Sequence, residues 1–162
     1  MKRQATYEDS NLILHLYETR REERLRKARA WMVSSFFVRT YAEYVALCPP
    51  GSEESASFRM VASYWEMAAS FVASGVLHPE LFFQNSQELL LVWERIRDVI
   101  AEARVQTKNP NLYGNLERVA REYVSWLDRT NPGYFAAFSE RIRTRPAAPS
   151  ESPEGAKSVD RG

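Results

Sequence analysis

Glu66 is the acidic residue whose place in the sequence could support chemistry. It lies on the narrow polar line of an otherwise apolar helix, and the small residues Ser63 and Ser70 stand about one turn away, which could leave the carboxylate in a groove. With Arg59, upstream on the same line, and Tyr64, it forms one candidate for a small-ligand or catalytic site. The other interpretation is a hydrogen bond or ion pair that fixes the packing of a neighbouring helix, because buried charges are normally paired.

A second candidate site is the basic segment between residues 18 and 29, which holds six cations against three anions. At helical spacing Arg20, Arg24 and Lys27 share one face, as a strip that binds the phosphates of a nucleic acid requires. The same segment contains two acid–base pairs at i,i+4 spacing, Glu22 with Arg26 and Glu23 with Lys27. Such pairs favour a solvated helix crossed by ion pairs over a nucleic-acid interface.

Other residue types that carry catalysis or bind metals form no recognisable constellation. Neither His15 nor His78 has a glutamate three positions upstream or a second histidine four positions away, so a capping or partly buried histidine is favoured over a metal ligand. The single cysteine, Cys48, excludes an intrachain disulfide and a cysteine-pair zinc site, and we expect an ordinary reduced thiol. The glycines form no phosphate-binding loop. The sequence therefore predicts no catalytic residue, metal site or cofactor, and it favours a protein that is not an enzyme.

Length and composition are those of one globular domain. A chain of 162 residues, 44% hydrophobic and 27% charged, is an ordinary soluble protein, and its net charge of +1 supplies no overall field that attracts nucleic acid or an anionic membrane. No apolar stretch approaches the roughly 18–20 residues that span a bilayer. The apolar patch at residues 11–17 is too short and too interrupted for a signal peptide. We therefore expect a cytoplasmic protein without a transmembrane segment.

Apolar residues recur at three-to-four spacing from residue 6 to about residue 145, and this periodicity predicts an all-α fold without β-sheet. We expect a single helical bundle of five to seven helices over residues 1–145, built around a buried central helix at 52–75. Ser52 caps that helix and Gly75 ends it. Its apolar stripe comprises Phe58, Val61, Ala62, Trp65, Ala68, Ala69 and Val72. Residues 146–162 contain Pro, Ser and Glu but no aromatic residue, and are predicted to form a disordered tail.

Capping residues predict where individual helices begin. Thr40 and Glu43 have the spacing of a capping box. Asn109-Pro110 and Asn131-Pro132 each combine an asparagine N-cap with a proline at the first helical position, so a helix is predicted to start at each. Between residues 10 and 31 there is no glycine or proline, so one long helix and two abutting helices fit equally well.

Several segments resemble an uncharacterised family of small bacterial all-helical proteins, a domain of unknown function. The likeness covers about residues 12–128, and it is carried by Phe58–Ala69, Gly75–Phe83, Val92–Arg97 and Asn109–Glu117. The pattern is a tyrosine–tryptophan–glutamate helix, a glycine stop, a short aromatic turn, a tryptophan helix and an Asn-Pro helix. Members often carry a membrane-spanning helix ahead of the bundle, and none is expected here. The resemblance implies a helical fold and supplies no active site.

Aromatic residues make up 12% of the chain, and most lie on predicted core faces. Tyr113 and Trp126 fall off the main apolar stripe of their helix, which makes them candidates for an exposed interface patch. Abundant aromatics without catalytic motifs favour a non-catalytic module that binds a protein partner or a second copy of itself. Nucleic-acid binding through the basic face at 20–29 is the alternative, and a small-ligand or enzymatic site near Glu66 is the third interpretation.

Overall fold

The computed structural model describes residues 3–145, and every regular element in that part of the chain is an α-helix. The helices are α1 (Tyr7–Arg20), α2 (Glu23–Ser35), α3 (Tyr41–Leu47), α4 (Glu53–Ala73), α5 (Pro79–Asn85), α6 (Glu88–Gln106), α7 (Gly114–Thr130) and α8 (Tyr134–Arg143). The all-α prediction is confirmed. The expected five to seven helices are too few for residues 3–145, because α1 and α2 are separate and the short α3 and α5 are helices in their own right. The predicted tail at 146–162 lies outside the described residues.

The charged run after α1 does not continue as one long helix. The N–H of Arg21 donates to the carbonyl of Glu18 (2.9 Å), which closes α1. The Glu22 carboxylate then accepts a hydrogen bond from the N–H of Leu25 (2.9 Å) and caps α2. Glu22 thus serves the backbone, and the predicted Glu22–Arg26 pair does not form.

α4 has the burial that its apolar stripe predicts. All seven residues of that stripe are buried, and Ala62, Ala68 and Ala69 have no exposed surface. These small side chains allow other helices to approach closely, and α4 packs mainly against α2 and α7. The Ser52 hydroxyl accepts a hydrogen bond from the N–H of Ser55 (3.1 Å) and caps the helix as predicted.

The capping box that precedes α3 is confirmed. The Thr40 hydroxyl accepts from the N–H of Glu43, and the Glu43 carboxylate accepts from the N–H of Thr40. His78 precedes Pro79 and caps α5 through its ring Nδ1, which accepts a hydrogen bond from the N–H of Leu81 (3.3 Å). The expectation of a capping histidine therefore holds at this position.

The two predicted Asn-Pro helix starts are wrong. α7 begins at Gly114, because the Asn109 side chain accepts a hydrogen bond from the N–H of Asn111 (3.1 Å) and turns the chain before a helix can form. Asn131 instead ends α7, since its N–H donates to the carbonyl of Leu127 (2.7 Å). α8 begins at Tyr134 after Gly133, whose φ of 82° is left-handed. In both cases the Asn-Pro pair forms the turn between helices.

None of the helices in the described part of the chain combines the length and apolarity needed to cross a membrane.

Candidate functional site

Glu66 caps a neighbouring helix. Its carboxylate accepts three hydrogen bonds at the start of α7: from the N–H and the side-chain amide of Asn115 (3.2 and 2.8 Å) and from the N–H of Leu116 (2.8 Å). The first backbone N–H groups of a helix have no partner within it, and its N-terminus attracts negative charge. Tyr113 occupies the N-cap position of α7 but makes no capping side-chain bond. Glu66 of α4 therefore replaces the missing N-cap side chain.

The three residues of the predicted ligand site are not brought together. Tyr64 is buried on another side of α4, where its hydroxyl donates to the carbonyl of Leu16 in α1 (2.7 Å). Arg59 is exposed, and its Nε donates a long hydrogen bond to the carbonyl of Ser55 (3.4 Å). Each of the three side chains thus contacts a different part of the molecule, and only Arg59 borders an open cavity.

The predicted basic strip is divided between two helices. Arg20 ends α1 and lies over the rings of Tyr17 and Trp65, 5.5 and 5.3 Å from their centroids, whereas Arg24 and Lys27 belong to α2. The three cations therefore do not share the face of a single helix. The predicted ion pair between Lys27 and Glu23 does form, at 2.7 Å between exposed side chains.

Tyr113 and Trp126, the two predicted interface residues, are both half-buried. The Tyr113 ring stands edge-on to Phe58, with centroids 6.2 Å apart. Trp126 packs against Phe83 and Tyr123, each at a centroid distance of 5.9 Å. They lie at different places on the molecule, so the structure does not join them into one patch.

Arg95 is a buried cation that lies outside the predicted sites. Its guanidinium donates to the carbonyls of Val33 (3.0 Å) and Phe36 (2.5 Å) at the end of α2 and lies 3.6 Å from the centroid of the Phe37 ring. Burial lowers its pKa to about 10, so it is charged at neutral pH. A cation at the negative end of a helix is favourable, and Arg95 therefore fastens α6 to α2. A signal exists in the sequence, since Arg95 lies within the apolar periodicity of α6.

Glu94 is the second buried charge of α6 outside the predicted sites, with 1% of its surface exposed. It accepts a hydrogen bond from the Ser139 hydroxyl of α8 (2.5 Å) and pairs with Arg97 (3.4 Å). Arg97 also borders a groove of about 580 Å³ between α6, α7 and α8. The charges along this groove are largely paired with one another, as Arg104 is with Glu117 (2.8 Å). We therefore assign the cluster to packing.

No group of three or more His, Cys, Asp or Glu side chains within residues 3–145 is arranged to hold a metal ion. Cys48 is buried, and burial raises the pKa of its thiol to about 11. The thiolate is the reactive form of cysteine. Cys48 is therefore a protonated, unreactive thiol at neutral pH.

α1 carries large hydrophobic side chains that remain exposed. Three of its large hydrophobic side chains point away from the rest of the molecule: Tyr7, Leu14 and Tyr17 are 75%, 58% and 52% exposed. They stand seven and three positions apart, so they share one face, which we call the outer face of α1. The inner face of the same helix is held by Leu16 and the buried Asp9. The sequence carries this spacing, but Leu12, Ile13 and Leu16 conceal it because they form a second apolar set.

The family model described as "Domain of unknown function (DUF4760)" matches residues 5–126, more than two thirds of the chain. The chain belongs to this family. The predicted resemblance to an uncharacterised family is thereby confirmed. No curated protein and no solved structure matches the chain.

The DUF4760 match runs from the residues that cap α1 to the last turns of α7 and leaves α8 outside. It therefore includes the outer face of α1, the Glu66 cap and the cavity beside Arg59.

Proposed function

We propose that this DUF4760 domain is a non-catalytic module of a bacterial cytoplasm that associates with a second copy of itself through the outer face of α1. The observation that carries the proposal is the exposure of Tyr7, Leu14 and Tyr17 along one face of a single helix. A helix that is apolar on both faces normally has a partner on both. Here the inner face has the rest of the domain. On the outer face Tyr7 and Leu14 stay exposed, and Tyr17 is covered only in part, by the guanidinium groups of Arg20 and Arg21 at the end of the same helix.

Complementary ends of α1 favour a second copy in antiparallel orientation. α1 begins with the exposed Tyr7 and is followed by the exposed Arg21. When two copies cross antiparallel with Leu14 at the two-fold axis, Tyr7 of each lies opposite Arg21 of the other, where a guanidinium over a phenol ring is attractive. The antiparallel helix dipoles also attract one another, so the surface complements itself, as a two-fold interface requires.

The interface is small, and we expect a weak dimer. The 14 residues of α1 span about 21 Å, so one helical face covers less than the roughly 800 Å² per partner of a standard interface. Association should therefore depend on concentration.

Sedimentation velocity tests the proposal over about 10 µM to about 1 mM, the range suited to an interface below standard size. We expect the natural chain to shift from monomer to dimer. Leu14→Glu should abolish the shift, because it places two carboxylates at the axis. The control is Val105→Glu, which introduces the same charge at another exposed aliphatic residue, 73% exposed near the end of α6. A monomer at every concentration, or a dimer that Leu14→Glu leaves intact, would contradict the proposal.

Disulfide trapping tests the orientation. Cys48 is the only native cysteine and is buried, so an added thiol is the reactive one. Leu14→Cys should cross-link to its copy rapidly under mild oxidation, since both thiols stand at the axis. Tyr7→Cys should not, because antiparallel helices separate the two thiols by about 21 Å. Equal cross-linking of both variants would rule out the antiparallel register.

Nucleic-acid binding through residues 20–29 has less support than self-association. The cations of the segment lie on two helices, Arg20 stacks on aromatic rings and Lys27 is paired with Glu23. No comparable observation favours a catalytic site at Glu66, whose two oxygens already accept three hydrogen bonds.

A further inference from the structure

A small cavity opens where α3, α4 and α6 meet the segment that precedes α7. Its volume is about 220 Å³. Tyr44 of α3, Phe58 of α4 and Tyr113 form aromatic walls, and Val99 and Ala103 of α6 form an aliphatic side. Tyr44 and Tyr113 both contact Phe58, with ring centroids 4.9 and 6.2 Å away, so the walls support one another. Concave, mainly apolar sites with few polar groups are the usual form of small-molecule sites.

The segment that closes this cavity is strained and firmly held. Lys108 and Tyr113 have φ values of 52° and 53°, a left-handed conformation that is unfavourable for a residue other than glycine. Arg104 secures the segment through a hydrogen bond from its Nε to the carbonyl of Leu112 (3.0 Å). Because Glu66 caps α7, the N-cap residue itself does not need a capping side chain. Tyr113 can therefore occupy that position, and its ring lines the cavity. Such strain gathers at ligand-binding sites.

The polar groups at the cavity suit an anion. Arg59 lies at its edge and forms no ion pair with a described residue, so its terminal nitrogens are available. Burial, together with Tyr44 and the negative charge of Glu66, raises the pKa of Tyr113 to about 12, and burial also raises the pKa of Tyr44, while the positive charge of Arg59 acts to lower both pKa values. Arg59 therefore lies within electrostatic range of two neutral hydroxyl groups. Neither hydroxyl bonds to another described residue.

Size limits the ligand to one ring. Apolar cavities of about 150 Å³ admit benzene, whereas drug-sized ligands occupy about 300–1,000 Å³. A volume of about 220 Å³ therefore has room for a single aromatic ring with one small substituent. We propose that this cavity binds a free single-ring aromatic carboxylate, whose ring packs edge-to-face between Tyr44 and Tyr113 and whose carboxylate pairs with Arg59.

Ligand-observed NMR and calorimetry with three probes test the proposal on the whole chain. Benzoate carries both ring and charge, benzamide carries the ring alone and acetate the charge alone. We expect saturable binding of benzoate, with benzamide and acetate at least about tenfold weaker, because a charged pair at a partly buried site contributes about that much.

Two substitutions assign the binding to this cavity. Arg59→Gln should weaken benzoate about tenfold and leave benzamide unchanged, since an exposed arginine is replaced without loss of packing. Ala103→Leu should abolish the binding of both benzoate and benzamide, because the larger side chain fills the cavity. Arg26→Gln, the same change at an exposed arginine of α2, is the matched control and should alter nothing. The proposal is overturned if the natural chain does not bind benzoate saturably, if benzamide binds equally well, or if Arg59→Gln has the same small effect as Arg26→Gln.

Discussion

Several single residues have structural roles that their positions in the sequence do not predict. Glu66 belongs to α4 but completes the hydrogen bonding of α7, and Arg95 belongs to α6 but completes that of α2. Each long side chain brings its charge to the helix end of matching polarity: the carboxylate to an N-terminus and the guanidinium to a C-terminus. These are the contacts by which α4 and α6 hold the ends of their neighbours.

The cap at Glu66 is testable by a conservative change. Glu66→Gln removes the charge and one acceptor oxygen, and we expect it to lower the free energy of unfolding by about 1–2 kcal/mol. Urea titration followed by circular dichroism measures the difference. Glu122→Gln, which disrupts an exposed pair with Arg118 on α7, is the control and should change stability by less than about 0.5 kcal/mol. Equal losses of stability in Glu66→Gln and Glu122→Gln would contradict the capping role of Glu66.

At the scale of the helices, the ends decide the course of the chain. α4 stops after Ala73 because Gly75 adopts a φ of 77° and its N–H returns to the carbonyl of Val72 (3.0 Å). α1 stops where the N–H of Arg21 donates to the carbonyl of Glu18 (2.9 Å), and Glu22 then caps α2 instead of pairing with Arg26. In both places a backbone hydrogen bond at the boundary outweighs the periodicity of the side chains around it.

Two glycines allow the effect of backbone conformation on stability to be measured apart from the effect of a steric clash. No atom lies within 4 Å of an added methyl group at Gly75 or Gly114, but only Gly75 has a positive φ. Gly75→Ala should therefore lower the free energy of unfolding by about 1 kcal/mol through the left-handed strain alone. Gly114→Ala, at the first position of α7, should leave stability unchanged or raise it by up to about 1 kcal/mol. Thermal unfolding measures the stability of each variant relative to the natural chain. A Gly75→Ala variant as stable as the natural chain would show that the end of α4 can shift.

At the scale of the whole molecule, Asp9 ties the beginning of the described chain to the segment between α4 and α5. Asp9 is 1% exposed. Its carboxylate accepts hydrogen bonds from the N–H of Thr6 (2.7 Å), the N–H of His78 (2.8 Å) and the guanidinium of Arg3 (3.0 Å). The His78 ring Nε2 lies 2.7 Å from the carbonyl of Arg3 and donates to it, because Nδ1 is already an acceptor. This set of contacts holds α1 in place, with its outer face away from the domain.

The stability of this junction should depend on pH. Burial by itself raises the pKa of Asp9, but the hydrogen bonds from Thr6, His78 and Arg3 outweigh it and lower the pKa from 3.8 to about 2. A lowered folded-state pKa contributes stability that is complete above the unfolded value of 3.8 and is lost as the pH falls through about 2. Asp9→Asn should cost about 1–3 kcal/mol at neutral pH. The cost should shrink as the pH falls from about 4 to about 2.

Urea unfolding of both proteins at a series of pH values measures this difference. The exposed Asp128 offers the control, since Asp128→Asn should give a difference from the natural chain that is small at every pH. A cost of Asp9→Asn that stays constant from neutral pH to about 2 would contradict the assignment.

Local signals in the sequence determined the helical class, the burial of α4 and several caps. The spacing of Phe58, Val61 and Trp65 is sufficient to predict which face of α4 is buried, because a helix repeats every 3.6 residues whatever surrounds it. Ser52, Thr40 and His78 are recognisable as caps because each bonds to a backbone N–H three residues ahead. The absence of metal or nucleophile motifs likewise follows from residue types and spacing.

Only the tertiary structure decided what depends on contacts between distant residues. Glu66 and Leu116 are 50 positions apart, and Arg95 and Val33 are 62 apart, so no local pattern reveals that one serves the other. The hydrogen bonds at the N-terminus of α7 likewise come from α4, whereas the local turn at Asn109 delays the start of the helix to Gly114. The outer face of α1 and the cavity beside Arg59 exist because packing covers some apolar side chains and leaves others open, and periodicity alone does not distinguish the two.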